Sequence, residues 1–201
     1  MSDNRFFRED ATRWKALMDL PSRSFTCGFC GTYVASVKGY AVGEHGDGSG
    51  KLVAFAYICA NCRGPVFFPP TGSQYPTAAF GKPVAHVPKE LDALYEEARR
   101  CTSSNAFTGS VLLCRKMLMN IAVQEGAKEG LKFIEYVNYL SDKGFVPPNG
   151  KHWVDHIRKR GNEATHEISV MTEADAKELV GFVEMLLRFI YEFPNLIPKT
   201  P

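Results

Sequence analysis

Cys27-Gly28-Phe29-Cys30 and Cys59-Ala60-Asn61-Cys62 bracket the stretch whose reading decides how this chain folds. Two Cys-x-x-Cys pairs can bring four thiolates to one point, and four thiolates complete a tetrahedral zinc shell with no open position. Cys27, Cys30, Cys59 and Cys62 are therefore the expected ligands of one zinc, structural rather than catalytic. The competing reading of such pairs is a disulfide or redox centre, which the doubled motif disfavours. Gly31 follows the first pair and Gly64 lies two beyond the second. Glycines there let the backbone curl until amides reach the sulfurs.

Between the pairs, Thr32–Val37 and Lys51–Ile58 read as strands joined by a mobile polar tip over 43–50, and Pro65–Phe68 adds a short strand. The segment resembles a zinc ribbon. In the second strand Leu52, Ala54, Ala56 and Ile58 share one face, and Val53, Phe55 and Tyr57 the other. An aromatic face can stack on nucleotide bases. A ribbon this small needs neighbouring surface, so the expectation is that its aromatics lie against another part of the protein. Upstream, residues 3–20 read as an amphipathic helix, with Phe7, Ala11, Trp14 and Met18 on one stripe and Pro21 and Ser22 ending it. That helix is the expected cover.

The chain has 201 residues, enough for one or two domains with a real core. It is 45% apolar and 23% charged, which excludes wholesale disorder. Net charge is +2, so any nucleic-acid surface must be a local patch. There is no run of eighteen apolar residues and no signal-peptide pattern at the N-terminus. Paired cysteines in such a chain point to metal binding under reducing conditions, hence a cytoplasmic location.

Downstream of 69, Pro69, Pro70, Gly72, Pro76, Gly81 and Pro83 interrupt any periodicity. The expected division is a first domain over 1–70, a linker over 71–87 and a helical domain over 88–201. From Pro88 the pattern turns to helical spacing. Leu91, Leu94, Tyr95 and Ala98 form one stripe, and Phe107, Val111, Cys114, Leu118 and Ile121 another, with Ser103 or Ser104 as its cap. A third helix is expected over about 131–143, ending at Gly144. A fourth carries Trp153, Val154 and Ile157 and ends near Gly161. The last starts at Thr172, with Asp175 as an approximate capping box, and runs to Pro194. Cys101 and Cys114 read as small buried apolar residues. The predicted fold class is mainly α: an N-terminal helix and a small β ribbon, then an all-α bundle.

Leu112-Leu113-Cys114-Arg115-Lys116 and Gly161-Asn162-Glu163-Ala164-Thr165-His166 carry a further likeness. Over roughly 88–193 the chain resembles the HEPN superfamily of helical bundles, closest to a prokaryotic branch of unknown function found fused to restriction and defence proteins. The resemblance implies a homodimer in which Arg160 and His166 act together in metal-independent RNA cleavage, with Asn162 alongside and a role in antiviral defence or stress.

Arginine can hold a phosphate in bidentate fashion, and histidine can move protons near neutral pH. Asn162 and His166, four apart on a helix, would share a face. His166 would deprotonate the 2′-hydroxyl or protonate the leaving oxygen, and Arg160 would stabilise charge on the phosphorane. Arg158, Lys159 and Lys151 would hold the RNA backbone. A structural reading stands beside this one. Gly161-Asn162 would then end one helix and cap the next, His166 would be hydrogen-bonded inside the bundle, and the cations would form a solvated face. The chain would in that case be a non-catalytic module for a protein partner or nucleic acid. His152 and His156 are four apart but have no third ligand in sequence, so they make a poor metal pair.

Overall fold

The computed structural model describes residues 14–147, 153 and 170–196. The chain divides into two compact units, Met1–Ala79 and Phe80–Pro201.

The first unit is built on a four-stranded antiparallel sheet in the order β1-β2-β3-β4, formed by Met18–Thr26, Tyr33–Gly43, Leu52–Ile58 and Pro65–Phe68. This overturns the expected fold class. The protein is mixed α and β, with a real sheet in one unit and helices in the other, rather than mainly α. Part of the cause is β1. Met18–Leu20, expected at the end of a helix, pair instead with β2 through Met18↔Gly39 and Asp19↔Lys38. The next pairs are Arg23↔Ser36 to Thr26↔Tyr33, so residues 20–22 of β1 face the single residue 37 of β2. That bulge places Leu20 and Phe25 five positions apart yet both in the core, which hides the two-residue alternation by which a strand is recognised. Pro21 is tolerated because β1 is an edge strand, and its carbonyl accepts the Tyr57 hydroxyl at 2.8 Å. Residues 3–13 of the expected N-terminal helix, with Phe7 and Ala11, lie outside the described residues.

The sheet's inner face carries Phe25, Tyr57 and Phe68, three rings 5.5–6.2 Å apart, with Leu20 and Val66 beside them. Ser36 is buried with them, and its hydroxyl donates to Ile58 O at 2.7 Å. The tip between β2 and β3 is closed by Asp47, whose carboxylate accepts from the amide and hydroxyl of Ser49. Residues 74–77 belong to this unit. Phe67 and Tyr75 exchange backbone hydrogen bonds, and Gln74 donates to Thr26 O at 2.7 Å.

The second unit is helical: α1 Lys89–Ser103, α2 Phe107–Gln124, α3 Phe133–Asp142 and α4 Glu173–Leu187, then a π-helical turn Arg188–Glu192 and a last turn α5 Phe193–Leu196. Helix α2 packs against α1, α3 and α4 and supplies Met117, Leu118 and Ile121 to the core; α4 answers with Phe182, Val183 and Leu186. Thr172 caps α4: its hydroxyl accepts from the Asp175 amide and its own amide donates back to the Asp175 carboxylate at 2.9 Å. Ser103 instead ends α1, and α2 starts without a side-chain cap at Ala106. Pro88 is the N-cap of α1. Trp153 is helical and meets Phe182 edge-on at 5.3 Å. The buried Arg99 is satisfied by Glu96 at 2.6 Å and by the carbonyls of Phe80 and Gly81.

Candidate metal centre

The four sulfurs sit at the ends of two matching turns. In the first, Gly31 N donates to Cys27 O and Cys27 N to Thr32 O; in the second, Arg63 N donates to Cys59 O and Cys59 N to Gly64 O. Each turn needs one residue in the left-handed region: Gly31 at φ +69 in the first and Arg63 at φ +64 in the second. Glycine adopts that conformation freely, whereas arginine costs roughly 1 kcal/mol. Gly64 is required for space, since a Cβ there would stand 2.7 Å from the Phe29 ring.

Folded this way, Cys27 and Cys62 bring their sulfurs to 3.7 Å and Cys30 and Cys59 to 3.9 Å, with all four within 4.8 Å of one another. A tetrahedral shell with metal–sulfur bonds of about 2.3 Å has sulfur–sulfur edges of about 3.8 Å. The cluster therefore could hold a metal ion with little adjustment. Cys27, Cys59 and Cys62 are buried and Cys30 half-buried. Phe29 N lies 3.4 Å from the Cys27 sulfur, and Asn61 Nδ2 lies 3.5 Å from the Cys30 sulfur while also bonding Thr32 Oγ1. Such donors stabilise thiolates.

The protonation pattern follows. The Cys27 thiol donates to Cys62, which is held down at about 5 by that bond, while the same bond and burial push Cys27 far up. Burial raises Cys59. Cys30 is lowered despite its burial, because Thr32 and Asn61 hydrogen-bond to it. Binding a cation would release to solvent the protons that the ligands still carry. An ion held by all four sulfurs would have no place left for a reactive water.

The other two cysteines are apart from this cluster in sequence and in role. Cys114 is buried in the helical core, its thiol pushed up to about 12 by that burial, and Cys101 is half-buried. Sequence reasoning missed Asn61 and Trp14 as supports of the metal turns. Asn61 lies inside the second Cys-x-x-Cys pair, which was the available signal. Trp14 donates its indole N–H to Arg63 O at 2.8 Å, and nothing in the sequence announces that pairing. Arg160, His166 and Asn162, together with Arg158, Lys159 and Lys151, lie outside the described residues, as do His152 and His156.

Fold and site define a protein with a small antiparallel sheet unit, carrying four cysteines that could hold a metal ion, followed by a helical unit. Residues 96–199, about half of the chain, match the family described as "Domain of unknown function (DUF4145)". The chain belongs to that family. No curated protein and no solved structure matches it. No helix among the described residues is long and apolar enough to cross a membrane.

Proposed function

We propose that the ion is zinc, held structurally, and that the chain is an RNA-binding protein whose helical unit carries a metal-independent endoribonuclease site. The observation that carries the zinc reading is the set of four sulfurs within 4.8 Å of one another, a donor set that suits zinc and would leave no coordination position open. A structural ion contributes no chemistry, so any cutting of RNA falls to side chains. Arg160 and His166, with Asn162, are the residues proposed for it, supported by the likeness of 88–193 to HEPN bundles. Arg158, Lys159 and Lys151 are proposed to hold the phosphates. A 2′-hydroxyl attack needs a base and an acid, and one chain supplies one histidine here, so the proposed enzyme is a homodimer with the motif beside its twofold axis. Six unpaired cysteines suit a reducing, cytoplasmic setting.

The test is incubation of the zinc-loaded protein with RNA in the absence of added divalent metal. Cutting should leave a 2′,3′-cyclic phosphate, spare DNA, and stop in Arg160→Ala and His166→Ala variants whose melting is unchanged. A monomer, or cleavage that survives His166→Ala, ends the nuclease reading.

A non-catalytic module is the second reading, and one observation favours it. The groove over α4 is lined by Gly181, Met185, Phe189 and Phe193, and the charges at its edge, Glu184 and Arg188, are paired to each other. A groove of that chemistry suits a partner's apolar side chains better than a phosphate.

A further inference from the structure

The pairing register puts an aromatic row on the outer face of the ribbon sheet. Tyr40 pairs with Ala56, Ala56 with Phe67, and Phe67 with Tyr75, so all four side chains stand on one side in a line crossing the sheet. The neighbouring rows, Gly39–Tyr57–Val66 and Ala41–Phe55–Phe68, point the other way, into the core. Phe67 and Tyr75 are 39% and 45% exposed, far more than rings kept for packing, and Val42, two residues from Tyr40 on β2, is 49% exposed. Ala56 leaves a gap between Tyr40 and the Phe67–Tyr75 pair. At strand spacings of about 4.8 Å the row spans about 14 Å. The ring of Trp14 rests 6.3 Å from that of Tyr40.

The charge of this unit is net positive. The described part of the ribbon unit carries Lys15, Arg23, Lys38, Lys51 and Arg63 against Asp19, Glu44 and Asp47. Glu44 and Asp47 belong to the loop beyond β2, and Asp19 is bound by Lys38 at 2.7 Å. Lys15 and Arg63 are both exposed, and their backbones are tied to the row itself: Tyr40 OH donates to Lys15 O, and Trp14 Nε1 to Arg63 O. Exposed rings flanked by cations are what a single strand requires, because its bases offer π-faces and its backbone offers phosphates. Sheet-borne aromatics stack two or three bases in this manner in RNA-binding modules of other folds.

We propose that this outer face, with Phe67 and Tyr75 as stacking platforms and Lys15 and Arg63 as phosphate contacts, is a docking surface for single-stranded RNA. The proposal rests on the RNA-binding reading above and gives it a second surface, separate from the Arg160–His166 segment in sequence. A duplex cannot use the rings, since its bases are already stacked.

The test is fluorescence anisotropy of the zinc-loaded full chain with a labelled twelve-nucleotide oligouridylate and with an RNA duplex. Phe67→Ala and Tyr75→Ala should each weaken binding of the single strand about 5-fold or more, and the double variant more than 10-fold, with zinc content unchanged. Lys15→Glu with Arg63→Glu should flatten the salt dependence by about two contacts. Single-strand binding that ignores all four substitutions overturns the docking surface while leaving RNA binding by the chain intact. No binding by the unaltered chain overturns both. Normal binding without any cutting keeps the surface and removes the nuclease. RNA affinity unchanged while Phe67→Ala lowers the melting temperature or dissociates a dimer assigns the face to another segment or a second copy, and also overturns the proposal.

Discussion

Trp14 donates its indole N–H to the carbonyl of Arg63 at 2.8 Å, and Arg63 is the left-handed residue of the second metal turn. The bond fastens the start of the described chain to the turn that carries Cys59 and Cys62, and it holds in place the one position of that turn where glycine would be easier. Replacing Trp14 by phenylalanine keeps a ring against Tyr40 and removes only the donor. We expect a loss of about 1 kcal/mol in the ribbon's resistance to denaturant and faster loss of metal to a chelator. An unchanged rate of metal loss would mean that the turn stands without this support.

The metal should be one zinc per chain, bound by four thiolates. Cys59→Ser should abolish stoichiometric zinc in elemental analysis and unfold the sheet, because three rings and a few aliphatic side chains are too small a core to stand alone. The helical unit has its own core, so most of the circular dichroism at 222 nm should persist. Loss of the helical signal in the same step would show that the two units fold as one.

Two glycines of the first metal turn should respond very differently to alanine. A Cβ on Gly28 would stand 2.4 Å from the carbonyl oxygens of Pro76 and Thr77, which are backbone and cannot swing away. Gly28→Ala should therefore cost about 3 kcal/mol and displace the 74–77 segment. Gly31 faces open space and carries only the cost of its φ of +69, so Gly31→Ala should cost about 1 kcal/mol. Thermal melts of the zinc-loaded variants check both values, and equal costs would refute the assignment.

Arg188 opens the π-helical turn and binds Glu184 at 2.9 Å and Glu192 at 2.7 Å. The same two glutamates accept the backbone amides of Lys82 and Ala85, so one arginine orients the pair that pins residues 80–87 to the helix. Arg188→Gln should destabilise the helical unit by about 2 kcal/mol. It should also expose the amides of Lys82 and Ala85 to hydrogen exchange, which can be followed by NMR. Protection that survives the substitution would place the anchoring elsewhere, for instance on Arg99 and the carbonyls of Phe80 and Gly81.

Local chemistry made part of this protein legible from its sequence. The ligand set follows from two Cys-x-x-Cys pairs, since four sulfurs at that spacing have few other uses, and the capping pair Thr172–Asp175 is complete within four residues. The strand β4 and the long apolar helices follow from periods that neighbouring residues set by themselves. Only the tertiary structure decided the rest. β1 breaks its own alternation with a bulge that has meaning only opposite Val37, so Met18–Leu20 look helical until β2 lies beside them. β3 is apolar on both faces, and which face is inside depends on Phe25 and Phe68, supplied by β1 and β4 from far along the chain. Tyr57, expected to need an outside cover, lies against both of those rings, and Phe55 lies beside Tyr57. The opposite face, carrying Tyr40, Phe67 and Tyr75, comes together through strand register, which no single strand of the sequence contains.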